Sequence, residues 1–183
     1  KIWHTDICKE MLDADLSIKR AASYNDNYLC NVRGLLKGDE GMLEPAVRCI
    51  LDNTDSHGKI NYLSNYYGFT FADMVAYQEK HNEANGEQNR DGTDYNCTWN
   101  CGAEGISRKQ TVLELRKQQI KNAFALLFLS QGMPLIYMGD EFGRTQKGNN
   151  NPYCQDNEIT WVNWKLAEKN EELLNYVKEC IDL

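Results

Sequence analysis

Apolar positions along the chain alternate between helical spacing and short unbroken runs, with polar stretches between them. Asp6 is placed to cap a short helix whose apolar positions are Ile7, Cys8, Met11 and Leu12. A short stretch at Ala21–Tyr24 leads into a better-defined helix beginning at Asn25 or Asp26. There Tyr28, Leu29, Val32, Leu35 and Leu36 share a face, and Gly38 supplies the stop. Met42, Leu43, Ala46, Val47, Ile50 and Leu51 form another helical stripe, closed by the turn-forming residues from Asp52 to Gly58. Ile60–Ser64 reads as a strand, and Thr70 with Asp73 starts a short helix running through Tyr77. From Lys80 to Arg108 the chain is polar and rich in Asn, Gly and Asp. A loop of about thirty residues in a compact domain is either functional or disordered. The longest helix is expected over Lys109–Gln131, where Val112, Leu113, Ile120, Ala123, Phe124, Leu127 and Phe128 keep helical spacing before Gly132 and Pro134 end it. Leu135–Met138 reads as a buried strand and Asp140–Thr160 as a second polar loop. A last helix carries Leu173, Leu174, Val177 and Ile181.

This order of strands, helices and loops predicts an α/β protein with parallel strands. The polar, motif-like segments follow strand C-termini, where such folds place their sites. The 183 residues suffice for one domain, and no repeat or linker divides them. A complete eightfold barrel needs at least about 200 residues, so the expectation is a partial barrel or a smaller α/β sheet, spanning 1–183 as one unit.

Composition narrows the partners. A formal charge of −7 disfavours nucleic acid and anionic membranes, both of which are held by basic patches. No apolar run approaches the roughly 18 residues of a membrane-spanning helix, and no signal peptide opens the chain. The first residue is Lys1 rather than Met, so an upstream portion is expected. Seven scattered cysteines, odd in number, argue against a disulfide framework and for free thiols in a reduced, cytoplasmic setting. Cys97, Cys101 and His81 lack a fourth ligand and the Cys-x-x-Cys spacing of a metal site. No metal and no cofactor are expected. Asn96-Cys97-Thr98 matches a glycosylation sequon that a cytoplasmic protein does not use.

Four segments carry a resemblance: Tyr24-Asn25-Asp26 with Lys37-Gly38-Asp39; Ile60 to Thr70; the run KHNEANGEQNRDGTDYNCTWNCG from Lys80; and GMPLIYMGDEFGRTQKGNNNPYCQDNEITWVNW from Gly132. Together they resemble the glycogen-debranching and isoamylase branch of glycoside hydrolase family 13, the α-amylase superfamily, over roughly Ala21–Trp164. The resemblance implies the last three or four β/α units of a (β/α)8 TIM barrel. Ile60–Gly68 stands for the seventh strand and Gly132–Glu141 for the eighth with its loop. It also implies an α-glucan partner (glycogen, starch or branched maltooligosaccharide) and α-1,6-glucosidase chemistry in the parent family.

Retaining glycoside hydrolysis needs a nucleophile and an acid/base carboxyl about 5 Å apart, and the family adds a third carboxylate. None of the three is identifiable here. The nucleophile belongs to the fourth strand, which the chain is expected to lack; the acid/base Glu follows the fifth, whose region would fall near Lys1 to Asp6, and no Glu occurs before Glu10. The third lies where relatives read His-Asp before Gly-Phe-Thr, and this sequence reads Tyr66-Tyr67-Gly68-Phe69-Thr70. A tyrosine hydroxyl stays neutral at pH 7 and does not offer the paired acceptor oxygens of a carboxylate. The chain alone is therefore expected to be inactive, with no catalytic residue assigned.

Other residues suit sugar contact. Tyr66, Tyr67, Trp99 and Tyr153 offer faces for stacking on sugar C–H surfaces, and Asn82, Asn85, Asn100, Asn149 and Asn150 offer hydroxyl partners. Tyr66 and Tyr67 serve equally well to fill the place of His-Asp, and Trp161 and Trp164 to cap the core. Asp140 and Glu141, with Arg144, Arg90 and Asp91, are expected to organise the loops through carboxylate–arginine and backbone hydrogen bonds. Three readings stay open: a fragment or degenerate relative of a debranching enzyme, a non-catalytic glucan-binding or regulatory module, and a half-barrel that associates with itself or with its missing half.

Overall fold

The computed structural model describes residues 22–52 and 58–183. The helix expected around Ile7 to Leu12, and most of the Asp52–Gly58 turn, lie outside the described residues. Three short parallel strands form one sheet in chain order: β1 (Ala22–Tyr24), β2 (Gly58–Tyr62) and β3 (Met133–Leu135). Tyr24 stands opposite Ile60 across β1 and β2, and Ile60 opposite Met133 across β2 and β3. The expected α/β class with parallel strands is therefore what the chain forms.

Helices α1 (Asp26–Lys37) and α2 (Leu43–Leu51) connect β1 to β2. Asn25 caps α1 by accepting the Tyr28 N–H at 3.2 Å, and Gly38 ends it in the left-handed conformation, φ 85°, where a Cβ would be strained. Between β2 and β3 lie α3 (Phe71–Met74), a long irregular segment and α4 (Gln110–Leu129). After β3 come α5 (Lys165–Lys169) and α6 (Glu171–Ile181). Both parallel connections contain helices, as parallel strands require.

The apolar stripes meet in one core. Tyr28 and Val32 of α1, Leu63 and Phe69 after β2, Phe71 of α3, and Ala123, Phe124 and Leu127 of α4 are fully buried. Phe71 and Phe124 sit with ring centroids 4.5 Å apart, and Leu173 and Val177 of α6 join the same cluster. Burying side chains of this size stabilises by roughly 1.5–3 kcal/mol each. The α2 stripe behaves differently. Ala46 is buried, whereas Leu43 and Leu51 remain about two-thirds exposed among the described residues.

Two expectations shift by a few residues. β2 ends at Tyr62, because the Leu63 carbonyl is taken by Arg33 Nε at 2.8 Å instead of a strand partner. β3 occupies Met133–Leu135 rather than Leu135–Met138. Pro134 has no N–H, yet β3 pairs with a described strand on one side only, so it sits where a proline is tolerated. Among the described residues no helix is long and apolar enough to cross a membrane.

Candidate functional site

The loops leaving β2 and β3 converge at the C-terminal end of the sheet, held by buried polar groups. Asp140 is fully buried in the turn after β3. Its carboxylate accepts the Ser64 hydroxyl and the Phe71 N–H, the latter at 2.9 Å, so it ties the β3 turn to the β2 loop and the start of α3. Burial pushes the Asp140 carboxyl up to about 7 against those two hydrogen bonds, and neighbouring Glu141 adds to the rise. Asp73 of α3 is also fully buried and accepts the Thr145 hydroxyl and the Gln146 N–H. Burial raises its carboxyl as well, with the same hydrogen bonds opposing.

A second set of contacts joins the two long loops through asparagines. Asn82 and Asn150 are fully buried and exchange two bonds: Asn82 Nδ2 donates to Asn150 Oδ1, and Asn82 Oδ1 accepts the Asn150 N–H, each at 2.9 Å. The Asn150 amide also donates to Thr93 O and Asn96 Oδ1 at 2.8 Å. Asn149 donates to Asn85 Oδ1 at 2.9 Å, and Asn85 donates to Asp91 Oδ2 at 2.7 Å and to Asn151 O at 2.9 Å. Burial alone would raise the Asp91 carboxyl. The bonds from Asn85 and Asn151, with Lys80 nearby, outweigh it and leave the group below the ordinary carboxylate range. Gly92 fits only because it lacks a Cβ, which would fall 2.2 Å from Asn150 Oδ1 at a φ of +70°.

Arg33 locks the β2 loop from the other side. It is buried and donates to Leu63 O, to Phe69 O at 3.0 Å and to Asn96 O at 2.9 Å. Arg144 is buried and donates to Met138 O at 3.1 Å and Thr160 O at 2.7 Å, with its guanidinium 4.7 Å from the Tyr137 ring centroid. Among the described residues, no arginine donates a hydrogen bond to Asp140 or Glu141. Glu141 instead accepts the Gly139 N–H at 2.8 Å, and Arg90 is exposed.

Against this frame stands an exposed aromatic set: Tyr66, Tyr67, Tyr95, Tyr153, Trp161 and Trp164 are each between 45 and 70 % exposed. Tyr66 and Tyr67 occupy the tip of the β2 loop, where the Tyr67 N–H donates to Asn65 Oδ1 at 2.8 Å. The Tyr153 hydroxyl donates to Glu87, and Trp164 packs on Phe142 at 5.7 Å. Trp99 lies against the core, and Asn100 is engaged within its own turn, donating to Glu104 at 3.0 Å. Among the described residues no group of three His, Cys, Asp or Glu is arranged to hold a metal ion.

The comparisons with known proteins agree on one relationship. No protein-family model matches the chain. A glycogen operon protein GlgX homolog of Mycobacterium tuberculosis is 42% identical over 168 residues, covering 87% of this chain and 23% of that protein. The chloroplastic isoamylase SU1 of Zea mays is 38% identical over 178 residues, covering 88% of this chain and 23% of that protein. The chain belongs to the debranching-enzyme branch of glycoside hydrolase family 13. It spans about a quarter of the length of the curated relatives it matches. A mutant pullulanase from Paenibacillus barengoltzii, solved in complex with maltotriose, has a TM-score of 0.63 at 20% identity over 88% of this chain and 24% of its own. It shares the fold.

Within this glycoside hydrolase family 13 chain, sequence reasoning missed Arg33, Ser64, Asp73 and Gln146 as loop anchors. Arg33 had one legible signal, a charged residue at a buried register between Val32 and Leu36. For Ser64 and Gln146 the sequence held none, since their partners lie more than 70 residues away.

Proposed function

We propose that this chain corresponds to the last three or four β/α units of a (β/α)8 catalytic barrel of an α-glucan debranching α-1,6-glucosidase, and that it does not hydrolyse glucan by itself. The observation that carries the reading is the Tyr66-Tyr67 tip in an otherwise fixed loop. On either side of it, Gly68 N–H donates to Asn150 O at 2.8 Å, Phe69 is fully buried, and Thr70 caps α3. A loop anchored this closely supports reading its tip as the counterpart of the family's third carboxylate, with two phenol rings in its stead. Asp73 and Asp140 do not replace that carboxylate, because both are fully buried and spend their oxygens on loop contacts.

The exposed rings are the surface we assign to α-glucan. Tyr66, Tyr67 and Tyr153 are exposed aromatic side chains of the kind that stack on sugar rings. Asn82, Asn149 and Asn150 shape that surface from below, their amides already bonded to neighbouring loops. The test pairs two assays on the whole chain. Incubation with glycogen and branched maltooligosaccharide is expected to release no reducing ends above buffer, and native electrophoresis through glycogen is expected to slow the chain. Turnover that survives repurification would overturn the first claim. Migration unchanged by glycogen, or slowed equally in Tyr66→Ala and Tyr67→Ala, would overturn the second.

A second reading rests on a different observation. Leu43, Leu51, Leu129 and Met133 are each more than half exposed, near strands whose outer edges have no described partner. Surfaces of this kind favour association, with the remaining barrel half or with a second copy. Sedimentation at rising concentration distinguishes the two: a monomer throughout leaves only the barrel half, and a dimer supports the second copy.

A further inference from the structure

We propose that Asn85 is a latent deamidation site: the folded frame keeps it intact, and its conversion to aspartate or isoaspartate prevents the 80–108 loop from closing on the β3 loop. The proposal does not depend on glucan binding. Asn85-Gly86 is the single Asn-Gly pair among the 183 residues. A glycine after asparagine leaves its own backbone nitrogen unhindered, so this pair closes to a succinimide more readily than any other. Packing does not shield that nitrogen. Gly86 is exposed, and a Cβ placed on it would meet no atom within 4 Å.

Protection comes from hydrogen bonds instead. A carboxamide has two N–H donors and room for two acceptor contacts, and the Asn85 side chain uses all four. Its Nδ2 donates to Asp91 Oδ2 at 2.7 Å and to Asn151 O at 2.9 Å. Its Oδ1 accepts from Asn149 Nδ2 at 2.9 Å and from Gln155 Nε2 at 2.7 Å. The Gly86 N–H is engaged too, donating to Glu83 O at 3.1 Å. Turning the Asn85 Cγ onto the Gly86 nitrogen breaks these bonds, so ring closure waits for the frame to open.

The chemistry balances with water as the one co-reactant. The Gly86 nitrogen gives up its proton and bonds to Asn85 Cγ, the Cγ–Nδ2 bond breaks, and Nδ2 takes up a proton and leaves as ammonia. Water then opens the ring at either carbonyl, giving aspartate or isoaspartate. The product fits the frame badly. A carboxylate at 85 has no donor for Asp91 Oδ2 or Asn151 O, and it sets a second negative charge against Asp91. Asp91 has no slack to absorb the change. Its Oδ1 is buried and, among the described residues, has no hydrogen-bond partner. Against burial, which would raise it, the Asn85 and Asn151 bonds hold the Asp91 carboxyl below its ordinary range.

The experiment holds the full chain in mildly alkaline buffer with and without guanidinium chloride, then maps the tryptic peptide from His81 to Arg90. Cleavage after Arg90 separates Asn85 from Asp91-Gly92, the single Asp-Gly pair of the chain. A gain of one mass unit at Asn85 is expected in denaturant, and at least about tenfold more slowly without it. After the denaturant is removed, dilute protease should cut the converted chain within 80–108 about threefold faster or more than chain denatured in mildly acidic buffer, where Asn85 stays intact. Asn85→Asp, never exposed to denaturant, should show the same faster cleavage; if it does not accumulate, the converted chain carries the test. Equal conversion rates with and without denaturant would overturn the proposal. So would conversion only at another asparagine, or cleavage within 80–108 left unchanged by conversion.

Discussion

Two regions at the same end of the sheet behave in opposite ways. The asparagine-rich frame, built on buried Asn82, Asn149 and Asn150 with half-buried Asn85, is bonded at almost every polar atom. The tip at Tyr66 and Tyr67, a few residues from the Gly68–Asn150 contact, is exposed. A buried amide in a network answers to several partners at once, so changing it strands each of them without water. An exposed ring answers to solvent and to a ligand, and can change without disturbing the fold. The contrast separates the groups that hold a site in shape from those that decide what the site does.

The comparison breaks most sharply at Asn150. Asn150→Ala removes the bonds to Asn82, Thr93 and Asn96 and leaves buried groups unpaired. A loss of about 3–5 kcal/mol is expected in urea unfolding, with loss of glycogen retardation. Gly92→Ala attacks the same point by overlap with Asn150 Oδ1, and about 2–4 kcal/mol is expected from the clash and the positive φ together.

A pH series probes the frame without mutation. Asp140 has a folded value of about 7, raised by burial, against about 3.9 in an unfolded chain. Between these values the native state holds a proton that the unfolded state has lost, so stability falls as pH rises from about 4 to 7. The drop from this group is on the order of 2–4 kcal/mol, and burial of Asp73 acts in the same direction. Asp140→Asn should flatten the slope measured by unfolding from pH 4 to 8. An unchanged slope would mean that the carboxyl does not titrate in this window.

The smallest stability effect is expected at the tip. Tyr66→His with Tyr67→Asp restores the residues typical of the family at exposed positions, and the change should stay within about 0.5 kcal/mol. Glycogen retardation should weaken, and no hydrolysis should appear, because a third carboxylate does not replace the nucleophile and the acid/base. A large loss of stability would place the tip with the frame after all.

Sequence reasoning reached the helices and the parallel order of strands because these rest on local spacing and caps: Asn25 and Gly38 on α1, Thr70 on α3, the long stripe of α4. It lost the edges of β2 and β3, where Arg33 and Pro134 decide which carbonyls and N–H groups pair. It grouped the asparagines by their chemistry and said nothing of their burial, since an amide that meets sugar and one that meets another amide are the same letters. Asn82 meets Asn150 only once α3, α4 and β3 have brought their loops together.

That separation along the chain has a kinetic consequence. The bonds that join the β2 loop and the 80–108 loop to the β3 loop link residues 54 to 82 positions apart, from Asn96 with Asn150 to Gly68 with Asn150. Each such closure carries an entropic cost that local helices do not bear. The helices should therefore assemble early and the loop junctions last. In a thermal fluctuation the same junctions should open before the core does, so their amides exchange with solvent while Phe71 and Phe124 stay packed.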